Sequence, residues 1–137
     1  MLFNNHIKNS IGSAVTDIEY LKLRLNTMRL TEEYELKVNG NVTEISYYTM
    51  TFSSGSGEMV LRKRTTCDTQ ELIDILNSVD FVSWNGFSGK HPVGVLDGTM
   101  FNLTATLNTG QKLRADGSQK FPKHFHDFEK WLREMLE

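Results

Sequence analysis

Cysteine and proline are scarce in this chain of 137 residues, which contains one cysteine, Cys67, and two prolines. A single thiol cannot close an intramolecular disulfide, and it cannot supply the several thiolates of a structural zinc cluster. The fold must therefore be stabilised by its hydrophobic core. The length suits one domain, because single cores usually organise roughly 100–200 residues.

The chain also lacks a strong net charge. Its 15 Lys and Arg residues nearly balance 17 Asp and Glu residues, which gives a formal net charge of -2. Proteins that bind nucleic acid or anionic membranes through general electrostatic attraction usually carry a strongly basic balance. The charge balance therefore predicts no nucleic-acid partner.

Long apolar runs and targeting signals are absent as well. No uncharged apolar stretch approaches the roughly 18–20 residues that cross a bilayer, so no membrane span is predicted. Residues 1–6 lack the basic start and the apolar run of a secretory signal. The chain as given is predicted to be cytoplasmic, although an envelope or secreted protein whose leader had been removed would begin in the same way.

The hydrophobic pattern predicts a single α+β domain at residues 17–137, preceded by a loosely structured N-terminal arm at residues 1–16. Apolar and polar residues alternate in the first half, as at Leu21, Leu23 and Leu25, which is typical of strands. Turn sequences rich in Gly, Asn and Ser separate these segments. The predicted strands lie at residues 18–25, 34–38, 45–52, 59–65, 101–107 and 111–116.

Two segments have helical spacing instead. After Cys67, apolar residues recur at intervals of three and four, and Asp68 with Glu71 forms the pattern of a capping box. Near the C-terminus, a stripe of phenylalanines follows Pro122, a residue suited to a first helical turn. The order strand-strand-strand-strand-helix-strand-strand-helix predicts an antiparallel sheet of about six strands, covered on one face by the two helices.

Four short stretches of sequence carry a family resemblance. They are Trp84-Asn85-Gly86-Phe87, Val95-Leu96-Asp97-Gly98-Thr99-Met100-Phe101-Asn102-Leu103, Leu113-Arg114-Ala115-Asp116-Gly117 and Phe121-Pro122-Lys123-His124-Phe125-His126-Asp127-Phe128. Together with the element order from Ile18 onward, they make the chain similar to an uncharacterised family of small proteins and lipoprotein domains from Gram-positive bacteria such as clostridia. The resemblance implies a shared fold and no established activity.

Residues 85–98 are predicted to form a long irregular loop, because glycines and Pro92 interrupt the segment repeatedly. Loops longer than the usual roughly 2–6 residues often carry function. We therefore expect a non-catalytic binding or protein-interaction domain that uses this loop and the exposed face of the sheet. The expected partner-binding residues are Trp84, Phe87, Lys90, His91 and Asp97, and no catalytic residue, metal site or cofactor is predicted.

Alternatives stay open at these positions. Trp84 and Phe87 follow a helix, where large aromatic side chains mostly serve as core anchors. Asp97 would suit a small hydrolase-type enzyme if His91 or His124 converged on it. An immunity-like or inhibitory protein is the third hypothesis, because a rigid sheet that binds one partner would suffice for it. The spacing does not choose among these functions, and it does not indicate an oligomeric state.

Three other groups are interpreted as structural. His124 and His126 are two residues apart, so on a helix they diverge instead of sharing a metal ion. Cys67 has no histidine placed near it by the sequence and is predicted to be an inert thiol at a strand end. The basic run at residues 62–64 should place its two arginines on one face of a strand and its lysine on the other, as a solvated face or a charged edge.

Overall fold

The alternating segments form strands, and the segments with helical spacing form helices. The computed structural model describes residues 14–53, 56–89 and 98–137. Its elements in chain order are β1 (Ile18–Asn26), β2 (Thr31–Asn39), β3 (Val42–Ser53), β4 (Ser56–Asp68), α1 (Thr69–Ser78), a 3₁₀ helix (Phe81–Trp84), β5 (Ser88–Gly89), β6 (Met100–Leu107), β7 (Gln111–Ser118) and α2 (Phe125–Met135). The predicted α+β class is confirmed.

The strands of the described ranges form one sheet of seven strands in the order β4-β3-β2-β1-β6-β7-β5. Neighbouring strands are antiparallel except for β5, which pairs in parallel with β7. The prediction of about six strands is therefore one short. The sequence pattern misses β5 because two residues are too few to alternate, and the surrounding glycines indicate a loop.

One face of the sheet, which we call the inner face, carries the hydrophobic core. Leu21 and Leu23 of β1 are fully buried there. Both helices pack on this face: Phe125 of α2 lies 4.8 Å from Phe101 of β6 between ring centroids, and α1 hydrogen-bonds the inner side of β3. The buried helix residues with the largest apolar side chains are Leu72, Leu76, Phe125, Phe128 and Leu132. The opposite face of the sheet is called the outer face.

The start of α1 differs from the predicted capping box. Asp68 is the last residue of β4, and its side chain makes no capping hydrogen bond. Instead, the hydroxyl of Thr69 donates to the carbonyl of Gly40 over 2.9 Å and lies 2.9 Å from the hydroxyl of Thr43. The helix is therefore attached to the β2–β3 turn, where Gly40 has the left-handed φ of +63° that the turn requires.

Pro122 lies before α2 and not in its first turn, so the predicted start is three residues early. His124 has a left-handed φ of +68°, and the helix begins after it at Phe125. The backbone N–H of Phe125 donates to the carbonyl of Pro122 over 3.1 Å. The positive φ of His124 interrupts the helical path, which makes Pro122 part of the turn that leads into the helix.

A bulge at Arg62 changes which side chains of β4 point to each face of the sheet. No residue of β3 lies opposite Arg62 in the strand register. Arg64 lies opposite Ser46 on the outer face, whereas Arg62 donates its Nε–H to Thr49 Oγ1 over 2.8 Å on the inner side. The prediction that the two arginines share a face is wrong. The extra residue of the bulge shifts the alternation by one position.

The last residues of the predicted N-terminal arm contact the domain. Val15 is buried in the core. Its N–H donates to Asn77 Oδ1 over 2.8 Å, and its carbonyl accepts from Asn77 Nδ2 over 3.0 Å. The N–H of Thr16 donates to Asn108 Oδ1 over 2.7 Å. Residues 14–16 are therefore bonded to α1 and to the β6–β7 turn, and residues 1–13 lie outside the described residues.

Candidate functional site

Trp84 lies in an aromatic cluster of the core. The residue is 1% exposed, and its ring centroid lies 5.7 Å from that of Phe125 and 6.1 Å from that of Phe128. Its Nε1–H donates to the carbonyl of Lys123 over 3.0 Å. The indole therefore fastens the 3₁₀ helix to the start of α2, as expected of a core anchor, and presents almost no surface to a partner.

Phe87 attaches the start of the predicted loop to β7. Its ring is half-buried and lies 6.1 Å from that of Phe101, and its carbonyl accepts from the N–H of Asp116 over 3.0 Å. Asp116 lies opposite Asn102 of β6. The described start of the loop is therefore an edge of the sheet, not a free segment.

Three of the predicted binding residues, Lys90, His91 and Asp97, lie outside the described residues. Their roles stay predictions, and so does the hydrolase hypothesis, which needs Asp97 near His91 or His124. Of the three residues in the hydrolase hypothesis, the structure describes His124. It is exposed, and its Nδ1 lies 3.3 Å from Oδ2 of Asp127.

The outer face of the sheet carries rows of polar side chains, because directly opposite residues on neighbouring strands share a face. From β4 to β7 the rows are Thr66, Glu44, Lys37, Tyr20, Thr106 and Lys112; then Arg64, Ser46, Glu35, Lys22, Thr104 and Arg114; then Leu61, Tyr48, Glu33, Arg24, Asn102 and Asp116. These rows hold six basic and four acidic side chains, whereas the whole chain has a net charge of -2. Beyond these rows, Asp68 lies on the same face opposite Val42, which leaves the outer face with an excess of one basic side chain among these residues.

The acidic residues in the middle of the outer face are bonded to neighbours on the same face. Glu33 is buried, accepts from Nη2 of Arg24 over 3.0 Å and lies 3.8 Å from Nζ of Lys22. Glu35 accepts from the hydroxyl of Tyr20 over 2.6 Å, and its Oε1 lies 3.8 Å from Nζ of Lys37. Burial and this bond to a carboxylate raise the pKa of Tyr20 above its ordinary value. The central negative charges are therefore compensated within the face.

The β7 side of the outer face has cations without such compensation. Nζ of Lys112 donates to the hydroxyl of Thr106 over 2.9 Å, and neither Lys112 nor Arg114 forms an ion pair with another residue of the described ranges. The carboxylate of Asp116 accepts from the hydroxyl of Ser88 over 3.3 Å. Among the residues that the structure describes, Lys112 and Arg114 are therefore the two cations of this face that are open to an external anion.

Sequence reasoning did not single out these two cations, although a signal for them exists. Lys112 and Arg114 alternate with Leu113 and Ala115, which are buried in the core. The alternation places the two basic residues together on the polar side of a strand. It does not reveal that they lack carboxylate partners, because that depends on which strands flank β7.

A smaller cluster of polar side chains lies on the inner side of the sheet, where β2 and β3 pass the C-terminal end of α2. A cleft of about 220 Å³ is lined by Glu32, Tyr34, Tyr47, Lys63, Arg133, Leu136 and Glu137. The hydroxyl of Tyr47 donates to Glu32 Oε1 over 2.5 Å, and Nη2 of Arg133 donates to Oε2 of Glu129 over 2.6 Å. Burial and the Glu32 carboxylate raise the pKa of Tyr47. These groups bond one another, which makes the cleft a weaker binding candidate than the outer face.

His124, directly before α2, and His126, within it, meet separate carboxylates. Nδ1 of His124 lies near Asp127, and Nδ1 of His126 lies 3.1 Å from Oε1 of Glu129. Within residues 14–53, 56–89 and 98–137, no group of three or more His, Cys, Asp or Glu side chains is placed to hold a metal ion. The outer face therefore stays the main candidate site.

Cys67 is buried near the end of β4. Burial, followed by the nearby carboxylates of Glu71 and Asp68, raises the pKa of its thiol to about 11. Thiolate is the reactive form of cysteine, and little of it exists at neutral pH when the pKa is this high. The geometry therefore gives Cys67 no activation as a nucleophile.

We expect the free energy of unfolding to fall as the pH rises above about 9, because folding raises the pKa of Cys67, Tyr20, Tyr34 and Tyr47. The folded chain keeps protons that the unfolded chain releases. The contribution of these four groups to the free energy of unfolding is fully present below the ordinary thiol pKa of 9.0. It is lost as the pH rises through the pKa values that the groups have in the folded chain. Urea unfolding midpoints at about pH 8 and about pH 10.5 measure the effect.

The Tyr20→Phe variant is the control for this titration, because it keeps the ring and removes one of the protons. Its midpoint should fall less between the two pH values than that of the wild type. A wild-type midpoint that stays constant over this range would contradict the assignment of raised pKa values to the buried groups.

Comparison with known protein families, with curated proteins and with solved structures finds no match to this chain. The resemblance to the Gram-positive family therefore stays a prediction, and the outer face is interpreted from its own geometry. No helix in the described part of the chain has both the length and the apolar character needed to cross a membrane.

Proposed function

We propose that this protein is a non-catalytic protein-interaction domain whose outer face binds an acidic segment of a partner protein. The charge arrangement of that face supports this function. Glu33 and Glu35 are bonded to neighbours on the face, whereas Lys112 and Arg114 have no carboxylate partner among the described residues. An acidic partner would supply the missing counter-charges and would be steered toward this face.

The mixed pattern of charges favours a protein over a nucleic acid as the partner. A nucleic-acid backbone is uniformly negative, so it would also meet Glu44 and Asp116, which stand on the same face as the cations. A protein segment can place carboxylates opposite Lys112 and Arg114 and neutral groups opposite the acidic residues. Opposed like charges suppress wrong partners, so this pattern also contributes specificity.

Residues 85–98 remain part of the proposed surface because of how the segment begins. Ser88 and Gly89 pair with Asp116 and Gly117 of β7, the strand that carries both open cations. The start of the segment lies beside Arg114, because Asn85 Oδ1 accepts from the N–H of Arg114 over 3.2 Å and the N–H of Gly86 donates to its carbonyl over 2.8 Å. A partner that covers the β7 side of the outer face would be expected to meet this segment as well.

Labelled peptides test the proposed function. The probes are an acidic peptide in which Asp and Glu alternate with Thr, its analogue with Asn and Gln in place of the acids, and a basic peptide of the same length. In fluorescence anisotropy, we expect the acidic peptide to bind at least about tenfold more tightly than its amide analogue. Its binding should weaken as the salt concentration rises.

Charge reversal locates the binding surface. Lys112→Glu combined with Arg114→Glu is expected to weaken binding of the acidic peptide at least about tenfold. The matched control combines Lys123→Glu with Lys130→Glu, which changes the net charge equally at exposed positions on or next to α2. The control should bind as the wild type does. Equal binding of the acidic and amide peptides, or equal losses of affinity in the two charge-reversal variants, would exclude the outer face as the surface that binds an acidic segment.

A further inference from the structure

The β4 edge of the sheet is open among the described residues. β4 is the end strand of the sheet, and β3 is its only strand neighbour in the described ranges. Its 13 residues make it the longest strand of the sheet in the described part of the chain. An edge strand presents unpaired backbone N–H and C=O groups, which can template the pairing of another strand.

Apolar side chains gather at the end of the β3–β4 hairpin. Leu61 is 41% exposed and Phe52 is 74% exposed. Met59 lies opposite Met50 on the outer side of the sheet, and both are partly exposed. Exposed apolar clusters next to an open edge are typical of surfaces that pair with another chain.

The first half of β4 is complementary to itself. The sequence Glu58-Met59-Val60-Leu61-Arg62 has an acid at one end, a base at the other and three apolar residues between them. Val60 lies opposite Thr49, and Arg62 bonds to Thr49, so both point to the same side of the sheet as Glu58, two residues before Val60. Glu58 and Arg62 are exposed, and neither forms an ion pair within the described ranges.

We infer that β4 pairs antiparallel with β4 of a second copy of this chain, with a two-fold axis passing between the two Val60 residues. In this register, Met59 of each copy faces Leu61 of the other, and Glu58 of each copy faces Arg62 of the other. The interface is isologous, and each ion pair and each apolar pair occurs twice. Because the axis is perpendicular to the sheet, the two sheets join into one with the helices of both copies on the same side.

The bulge and the basic run do not block this pairing. Bulges and lysine or arginine residues protect an edge when they interrupt the stretch that would pair. Here the bulge lies at Arg62, at the end of residues 58–62, and the preceding residues keep a regular register with β3. The positive charge of Arg62 is matched by Glu58 of the second copy.

Sedimentation velocity of the intact chain tests the dimer, and charge reversal tests its register. We expect the wild type to sediment as a dimer. Glu58→Arg alone and Arg62→Glu alone place like charges opposite each other, and each should raise the dimer Kd at least about tenfold. The double variant Glu58→Arg/Arg62→Glu, and an equimolar mixture of the two single variants, should recover the dimer. Lys130→Glu on α2 is the control for charge and should dimerise as the wild type does.

A cysteine variant tests the position of the two-fold axis. Opposite residues in an antiparallel pair have Cα atoms roughly 4.5–5.5 Å apart, within the range of a disulfide. Val60→Cys should therefore form a covalent dimer on mild oxidation, whereas Thr66→Cys, near the other end of β4, should not.

A monomeric wild type, single reversals that associate as tightly as the wild type, or a mixture that fails to recover the dimer would overturn this inference. The result is independent of the outer-face proposal. Glu58→Arg and Arg62→Glu should leave binding of the acidic peptide intact, because both residues point to the inner side of the sheet.

Discussion

Replacement of Trp84 by alanine should lower the free energy of unfolding by about 3–5 kcal/mol, the range for large aromatic residues truncated in a core. The residue is 1% exposed, and its ring lies between those of Phe81, at 5.1 Å, and Phe125, at 5.7 Å. Truncation removes the centre of this cluster. It also leaves the carbonyl of Lys123 without the donor that it has in the wild type.

Urea unfolding followed by circular dichroism measures this loss, and the second of the two tryptophans is a matched control. Trp131 is only partly buried, with its ring stacked on that of Phe128 at 6.1 Å, so Trp131→Ala should destabilise the chain clearly less. Trp84→Phe keeps most of the ring packing and loses the hydrogen bond, so its effect should be intermediate. A loss below about 1 kcal/mol for Trp84→Ala would show that the indole is not a core anchor.

Gly117→Ala should lower the free energy of unfolding by about 1–3 kcal/mol, the usual cost of overpacking a core. An added Cβ at this position would lie 2.3 Å from the carbonyl oxygen of Lys120 and 2.7 Å from Cε1 of Phe101. Neither neighbour can move easily, because one is backbone and the other is a buried ring. The cost therefore comes from close approach and not from backbone conformation, since Gly117 has no positive φ.

Gly57→Ala is the matched control for this prediction. Gly57 is also a strand residue without a positive φ, but an added Cβ would meet the Sδ of Met50 at 2.8 Å. That atom lies at the far end of a flexible, partly exposed side chain, so we expect a change within about 0.5 kcal/mol. Thermal unfolding of both variants compares the two sites. Equal losses would show that the carbonyl of Lys120 does not limit the space at Gly117.

The strands and helices were predictable because their residues repeat with a clear period. Leu21, Leu23 and Leu25 alternate regularly, and the sheet uses that alternation directly. The features that escaped prediction depend on contacts across the chain. Arg62 is a bulge only because β3 passes it in a particular register, and β5 exists only because β7 offers it an edge.

On the candidate surface too, local periodicity predicts some features, and contacts between distant parts of the chain decide the others. Alternation alone places Lys112 and Arg114 on the polar side of a strand. Whether a charge already has a partner of opposite charge depends on which strands are neighbours. Glu33 forms an ion pair with Arg24 because the β1–β2 register puts the two residues directly opposite each other. The open edge at β4 likewise follows from the position of β6 beside β1, which no local pattern indicates.

β1 lies between β2 and β6, although it is the first strand of the described sequence. During synthesis, its second neighbour leaves the ribosome only after β4 and α1 have been made. Until then the β1–β4 meander has two open edges, and one of them carries the leucines of the future core. Pairing of strands so distant in sequence is slow, and partly folded chains with open edges are prone to aggregate. The nascent chain is therefore expected to be most prone to aggregation in the interval before β6 emerges.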